Sequence, residues 1–586
     1  MDSSFNKFPV IPVTGRENDC VSGWRQIGAE LRQALDAVPG GRKVLVLETY
    51  QGVYADDFKS FLIPLLKPDL IVDTGDLFKS EAEIREITQA DVTDDRVFGY
   101  LSRLEMISLM DPRKLEGFIQ NIKESGDSLI VIMGHGASLV WKEADLFVYA
   151  DMARWEIQQR MRSNEVNNLG IRNQDEPFEL KYKRAYFVDW RICDRIKKET
   201  ISRWDYVLDS NQREHPKLVK AEAVREGLRQ AARRPFSVVP FFDPGPWGGQ
   251  WMKEKFGLDR EKPNYAWCFN CVPEENSLLL GFGDTTFEIP SINLVFYQGA
   301  SLLGDAVHGI FGDEFPIRFD FLDTIGGGNL SLQVHPLTSY IQEKFGMHYT
   351  QDESYYMLEA EPGASVYLGL KEHIRPEEMI RDLRAAEQEG RSLEVEKYVE
   401  KWPAKKHDHF LIPAGTVHCS GSEGMVLEIS ATPYIFTFKL YDWERLNADG
   451  KPRPINVEHG VQNIQWDRTT SWSAENLVNR VETIADGDGW REERTGLHKR
   501  EFIETRRHWF TKSVFHETAG GVNVLSLVEG DEVIVESPDQ AFEPFAVHYA
   551  ETFIVPAAVG AYTIRPHGPS EGKECATVKA YVRINP

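Results

Sequence analysis

Before residue 150 the chain carries four apolar runs with no polar alternation: Val44-Leu45-Val46-Leu47, Leu70-Ile71-Val72-Asp73, Leu129 to Met133, and Leu146-Phe147-Val148-Tyr149. Such runs mark strands buried on both faces. Helical patterning fills the stretches between them. Residues 1–215 are therefore expected to form an α/β domain around a mostly parallel sheet. Lys217 to Arg234 is basic and alanine-rich, stops before Pro235, and alternates in charge, which predicts a solvated helical connector over 216–240. From Phe241 the character changes to short strands, turns and aromatic residues, the pattern of a β-sandwich or barrel. Leu330, Leu332 and Val334 alternate with polar neighbours as in a half-buried strand. Pro376 to Val399 interrupts the strands with a charged helical pattern, a short helical insertion. Strands resume near Arg506, with Val522–Gly530 and Glu551–Ala557 the clearest, and predict a last β domain over 501–586.

Composition narrows the class. A chain of 586 residues exceeds one core, so several domains are expected. The apolar share of 42% and charged share of 27% are those of a soluble globular protein. A net charge of -24 argues against nucleic acid or an anionic membrane surface as partner. No apolar run is long enough to span a bilayer, and Met1–Lys7 offers no apolar core of a signal peptide. Six cysteines make no disulfide framework. Cys268 and Cys271 form a single C-x-x-C and read as reduced thiols, and a cytoplasmic location is expected.

The chemistry concentrates after residue 329. In the strand around Leu332, Gln333 and His335 share one face, because side chains repeat every two residues. Glu353 opens the next apolar strand. His418 follows the turn Pro413-Ala414-Gly415-Thr416-Val417. An amide oxygen, a carboxylate and two imidazoles suit zinc or a similar divalent ion. In the first domain, Asp73 and Asp76 stand after the second strand as a weaker metal candidate, with a solvated loop as the alternative. His135 lies between two glycines, as in a binding loop or a tight turn.

Gln333-Val334-His335-Pro336, Glu353 heading the next strand, Ala360-Glu361-Pro362-Gly363-Ala364, and Pro413 to His418 occur in the order and at the gaps of the type I mannose-6-phosphate isomerases, which this part of the chain resembles. Pro246-Trp247-Gly248-Gly249 matches that family's opening W-G-G. Thr437 to Arg445 is similar to its T-Y-R-x-Y-D-W-x-R. The resemblance covers roughly 241–586. It implies two β jelly-roll (cupin-like) domains, a metal-binding one over 241–500 and a second over 501–586 without metal ligands. It further implies Zn2+, or another divalent metal, held by Gln333, His335, Glu353 and His418. The implied reaction interconverts mannose 6-phosphate and fructose 6-phosphate through an enediol. Glu428 is the candidate acid/base, with a surface strand carboxylate as the alternative, and Lys439 and Arg445 are candidates for the phosphate. Three departures matter: Gln351 and Asp320 stand where the family has lysines, and Lys439 replaces an arginine. A metal-binding cupin that holds a sugar or sugar phosphate without turnover is the alternative function.

The strand order and the basic helix Arg154–Arg162 look like a nucleoside- or uridine-kinase P-loop domain. The G-x-x-x-x-G-K-[ST] loop is missing, since Glu48-Thr49-Tyr50-Gln51-Gly52-Val53-Tyr54-Ala55 follows the first strand. The domain is expected to be a degenerate relic with weak or no ATP binding.

Overall fold

A computed structural model describes residues 4–431, 436–446, 453–496 and 501–584. The chain forms two compact units. One comprises Val10–Ala231 with Glu275–Tyr297; the other comprises Met1–Pro9, Ala232–Glu274 and Gln298–Pro586.

The first unit is built on a seven-stranded sheet. Its order is Cys20–Ser22, Lys217–Lys220, Tyr206–Asp209, Leu146–Asp151, Lys43–Thr49, Leu129–Gly134, Leu70–Asp73. The last five run parallel, and the first two are antiparallel additions. The four apolar runs are four of these five parallel strands; the fifth is Tyr206–Asp209. Val44–Leu47 is at most 2% exposed, because helices cover both faces. Helix Glu81–Val92 opens with a capping box between Ser80 and Glu83, and Pro112–Glu124 is capped by Asp111.

The expected connector differs from what forms. Lys217–Lys220 is a strand, paired with Tyr206–Asp209 and burying Leu218 and Val219. The helix is Ala221–Ala231, and it is not solvated: Ala223, Val224, Gly227 and Leu228 are buried. A side chain at Gly227 would meet Val13 and Leu280 at 2.9 and 3.1 Å. The helix therefore lies against a three-stranded sheet of Val10–Pro12, Ser277–Phe282 and Thr285–Pro290. A hairpin from beyond residue 275 thus completes the N-terminal unit.

The second unit holds two pairs of antiparallel sheets. The first pair is a six-stranded sheet (His409–Ile412, Glu353–Ala360, Gly424–Ser430, Arg318–Asp323, Trp267–Cys271, Phe241–Asp243) and a five-stranded sheet (Val399–Pro403, Ser365–Leu370, His418–Ser420, Leu332–Val334, Phe438–Tyr441). Helix Pro376–Glu389 is inserted between two strands of the smaller sheet. The second pair encloses a core of Leu525, Leu527, Val533, Val535, Phe553 and Ile564. Its larger sheet begins with the hairpin Glu482–Gly487 and Trp490–Arg494, earlier than residue 501. That hairpin is polar and largely exposed, so it lacks the apolar alternation that would mark it in the sequence. All six cysteines are free; Cys268 and Cys271 are buried, and burial holds both thiols well above their usual range. No described helix is long and apolar enough to cross a membrane.

Candidate metal centre and its surroundings

Three side chains from both sheets of the first pair converge. His335 follows Leu332–Val334, Glu353 opens its strand in the six-stranded sheet, and His418 opens its strand in the five-stranded sheet. Each is 0% exposed, and their ligand atoms lie within 4.8 Å of one another. His335 Nε2 is 3.1 Å from one oxygen of Glu353, and His418 Nε2 is 2.8 Å from the other.

The second ring nitrogens are anchored to main chain. His335 Nδ1 lies 2.7 Å from the Phe436 carbonyl, and His418 Nδ1 lies 2.9 Å from that of Thr416. A carbonyl only accepts, so each Nδ1 donates and each Nε2 is left as a lone pair facing the cluster. This is the outer arrangement that orients metal-binding histidines. His335 Nε2 and Glu353 Oε1 make no well-formed hydrogen bond although both are buried, a cost a cation would remove. Gln333 pairs with His418 across the sheet and brings its amide nitrogen, rather than the expected oxygen, 3.2 Å from His418 Nε2. The donor set therefore fits a divalent ion. The local field favours positive charge at this spot, whether a proton or a metal ion. Burial opposes charge on both groups, yet the histidines hold Glu353 well below the usual carboxylate range, and Glu353 raises His335 above its ordinary value.

Glu428 lies on the same sheet, directly opposite Asp320 on one side and Tyr355 on the other. It is buried, so the surface-carboxylate alternative does not hold. Burial first, then the charges of Glu353 and Asp320, push its carboxyl well above the ordinary range. Asp320 is paired with Arg318 at 2.5 Å, so its charge is already offset. Gln351 occupies the space between two carboxylates: its amide donates to Glu353 Oε2 at 2.8 Å and to Glu428 Oε1 at 3.3 Å.

Lys439 stands opposite Gln333 in the sheet. Its ammonium forms no hydrogen bond or ion pair among the described residues. Desolvation and the neighbouring Arg453 lower its pKa to about 8. Arg445 donates to Asp442 at 3.2 Å and to the Asn329 carbonyl, and Arg453 lies 3.0 Å from the other oxygen of Asp442. Arg445 and Arg453 thus share one aspartate, and the unpaired Lys439 ammonium completes a basic cluster with them. Sequence reasoning missed Arg318 and Arg453. Arg318 carried a signal, sitting two residues from Asp320 on one strand face.

In the N-terminal unit, Asp73 pairs with Lys59 at 2.6 Å and accepts the Gly75 N–H, so with Asp76 it forms no metal cluster among the described residues. Glu48 is buried and accepts from Gly136 N, Ser138 N and Ser138 Oγ at 2.6–2.8 Å. The Glu48 carboxylate thus pins the His135 loop to the end of the first strand.

Residues 23–233 match the model of a family described as a domain of unknown function, DUF8485. A mannose-6-phosphate isomerase of Streptococcus mutans is 25% identical over 217 residues, 37% of this chain and 63% of that protein. The putative mannose-6-phosphate isomerase YvyI of Bacillus subtilis is 23% identical over 263 residues, 43% of this chain and 77% of that protein. Part of this chain is homologous to mannose-6-phosphate isomerases. The chain spans less than two thirds of the streptococcal relative. Among solved structures, the mannose 6-phosphate isomerase from Bacillus subtilis aligns at 17% identity and a TM-score of 0.47, over 60% of this chain and all of that one. A mannose 6-phosphate isomerase bound with zinc and yttrium aligns at 12% identity and a TM-score of 0.46, again over 60% of this chain and all of that one.

Proposed function

We propose that this protein is a metal-dependent aldose–ketose isomerase of a sugar phosphate, interconverting mannose 6-phosphate and fructose 6-phosphate. The observation that carries the reading is the buried His335–Glu353–His418 cluster, set on the motifs shared with the isomerases and left with orphaned acceptor atoms. These three residues, with Gln333, would hold Zn2+ or another divalent ion. That ion would supply positive charge to polarise the sugar oxygens. Lys439, Arg445 and Arg453 would hold the phosphate, Lys439 with the free ammonium. Glu428, kept toward its protonated form by burial and two neighbouring acids, would hold the proton that moves between C1 and C2. A cytoplasmic location belongs to the same proposal.

Gln351 favours a second reading. Its amide cross-links Glu353 and Glu428 where the family carries a charged amine, which suits a protein that binds the sugar phosphate without turnover. Zinc-loaded protein assayed with mannose 6-phosphate separates the two. The isomerase reading predicts fructose 6-phosphate formation that drops at least a hundredfold in Glu428→Gln. Saturable binding with no turnover would replace it with the second reading.

A further inference from the structure

A second cavity with convergent polar groups opens at the carboxyl ends of the parallel strands. In the seven-stranded sheet the connection from Lys43–Thr49 runs to one side and that from Leu146–Asp151 to the other. Open α/β sheets take their ligands where adjacent strand ends part in this way. Gly52–Asp56 follow the first of these strands, Asn164–Asn168 follow the second, and His135 follows Leu129–Gly134. Together they line a cavity of about 430 Å³, within the range of small-molecule sites.

The cations around this crevice are committed to the chain itself. Arg160 donates to the carbonyls of Gly52 at 3.0 Å and Ser210 at 2.8 Å. Lys181 is buried against the carbonyls of Met161 and Gln174 and the side chain of Asn164, at 2.5–2.8 Å. Arg154 pairs with Asp194 at 2.7 Å, and Arg213, the one cation in the lining, is clamped to Asp57. Asp56 and Glu165 add negative charge to the same wall. A phosphate here would meet acids and no free cation.

The remaining groups are neutral donors and acceptors. His135 Nδ1 lies 2.9 Å from the Thr49 carbonyl, so it carries the proton and Nε2 is an acceptor. Burial lowers the pKa of this imidazole, which keeps it neutral. Among the described residues, the amide nitrogens of Asn164 and Asn167 and the side chain of Gln174 make no hydrogen bond. Glu165 has one oxygen engaged, by the Tyr54 hydroxyl. Alternating amide donors with imidazole and carboxylate acceptors matches a row of hydroxyls, each of which both donates and accepts. A nucleobase would want an aromatic face. Tyr54, the only phenol or indole in the lining, is already covered by Arg160 and Arg213, whose guanidinium carbons lie 3.9 and 4.8 Å from its ring centre.

We propose that this crevice binds an unphosphorylated monosaccharide. The test uses calorimetry on the full chain carrying His335→Ala and His418→Ala, which removes the metal cluster, with D-mannose, D-fructose and D-glucose as probes. At least one should bind with a Kd of ~10 mM or tighter. Its 6-phosphate and uridine should each bind at least tenfold more weakly. Glu165→Gln, at an exposed position, should weaken the sugar about tenfold or more without lowering the melting temperature. Hydrogen exchange should slow at 52–56 and 164–168 on saturation. The proposal is overturned if none of the three sugars binds, if the 6-phosphate or uridine binds as tightly, if Glu165→Gln binds unchanged, or if the protection lies elsewhere.

Discussion

Replacing Lys439 by methionine tests the basic cluster at its most informative position. The methionine keeps an unbranched stem of similar length, so the buried methylenes stay packed while the ammonium is lost. No neighbour in the described chain loses a bond, because the ammonium makes none. The change should therefore leave the melting temperature unaltered or raise it, since a desolvated cation beside Arg453 and Arg445 is removed. A phosphate dianion gains roughly 1.5–3 kcal/mol from each charge-assisted hydrogen bond. Loss of one such bond raises KM for mannose 6-phosphate by about 10- to 150-fold, as 1.4 kcal/mol is a factor of ten. The His335–Glu353–His418 cluster is untouched, so kcat should stay within a few-fold. Inorganic phosphate should weaken as a competitive inhibitor by the same factor, which separates phosphate binding from any effect on the sugar. Lys439→Arg should restore most of the loss. Steady-state kinetics with the melting curve in parallel decides it. A KM changed less than threefold in a fully folded Lys439→Met protein would show that the phosphate does not reach this ammonium.

Two further outcomes follow from buried groups. The His335–Glu353–His418 cluster should take up about one divalent ion per chain, and chelation should lower the melting temperature of the wild type but not of His335→Ala with His418→Ala; elemental analysis showing equal metal in both proteins would rule the cluster out. Glu48 is raised from 4.5 to about 7, chiefly by burial. The folded chain then keeps this proton longer than the unfolded one, so the stability it favours is complete below pH 4.5 and is lost as pH rises through about 7, a loss on the order of 3 kcal/mol. Hydrogen exchange of the Leu45–Leu47 amides between pH 5 and 8, corrected for intrinsic rate, should show falling protection in the wild type and a flatter profile in Glu48→Gln.

Those parts of the fold that rest on local pattern were legible in the sequence. Four of the five parallel strands announced themselves as unbroken apolar runs, although the edge strand Leu70–Asp73 leaves Ile71 43% exposed. His335, Glu353 and His418 were legible because strand alternation and a proline–glycine turn dictate where each side chain faces. What stayed hidden depends on partners distant in sequence. Lys217–Lys220 carries charges at both ends, and only its pairing with Tyr206–Asp209 makes it a strand. The exposed hairpin 482–494 has no apolar face to betray it. Asp320 stands where the resemblance puts a lysine, and the strand geometry shows it clamped by Arg318. Glu428 gave no hint of burial, because a single glutamate in an apolar strand reads the same whether the facing sheet covers it or not.

The hairpin Ser277–Pro290 has a consequence for how the chain is made. It supplies two strands that the N-terminal unit needs, one of them pairing directly with Val10–Pro12. Synthesis runs from the N-terminus, and domains usually fold as they emerge. Here the first unit cannot close until Tyr297 has left the ribosome, and by then Ala232–Glu274, the opening of the second unit, is already outside and waiting. The two units must therefore mature interleaved. A protein cut after residue 231 would leave the Gly227 face of helix Ala221–Ala231 without its cover, and such a fragment is expected to aggregate where the full chain does not.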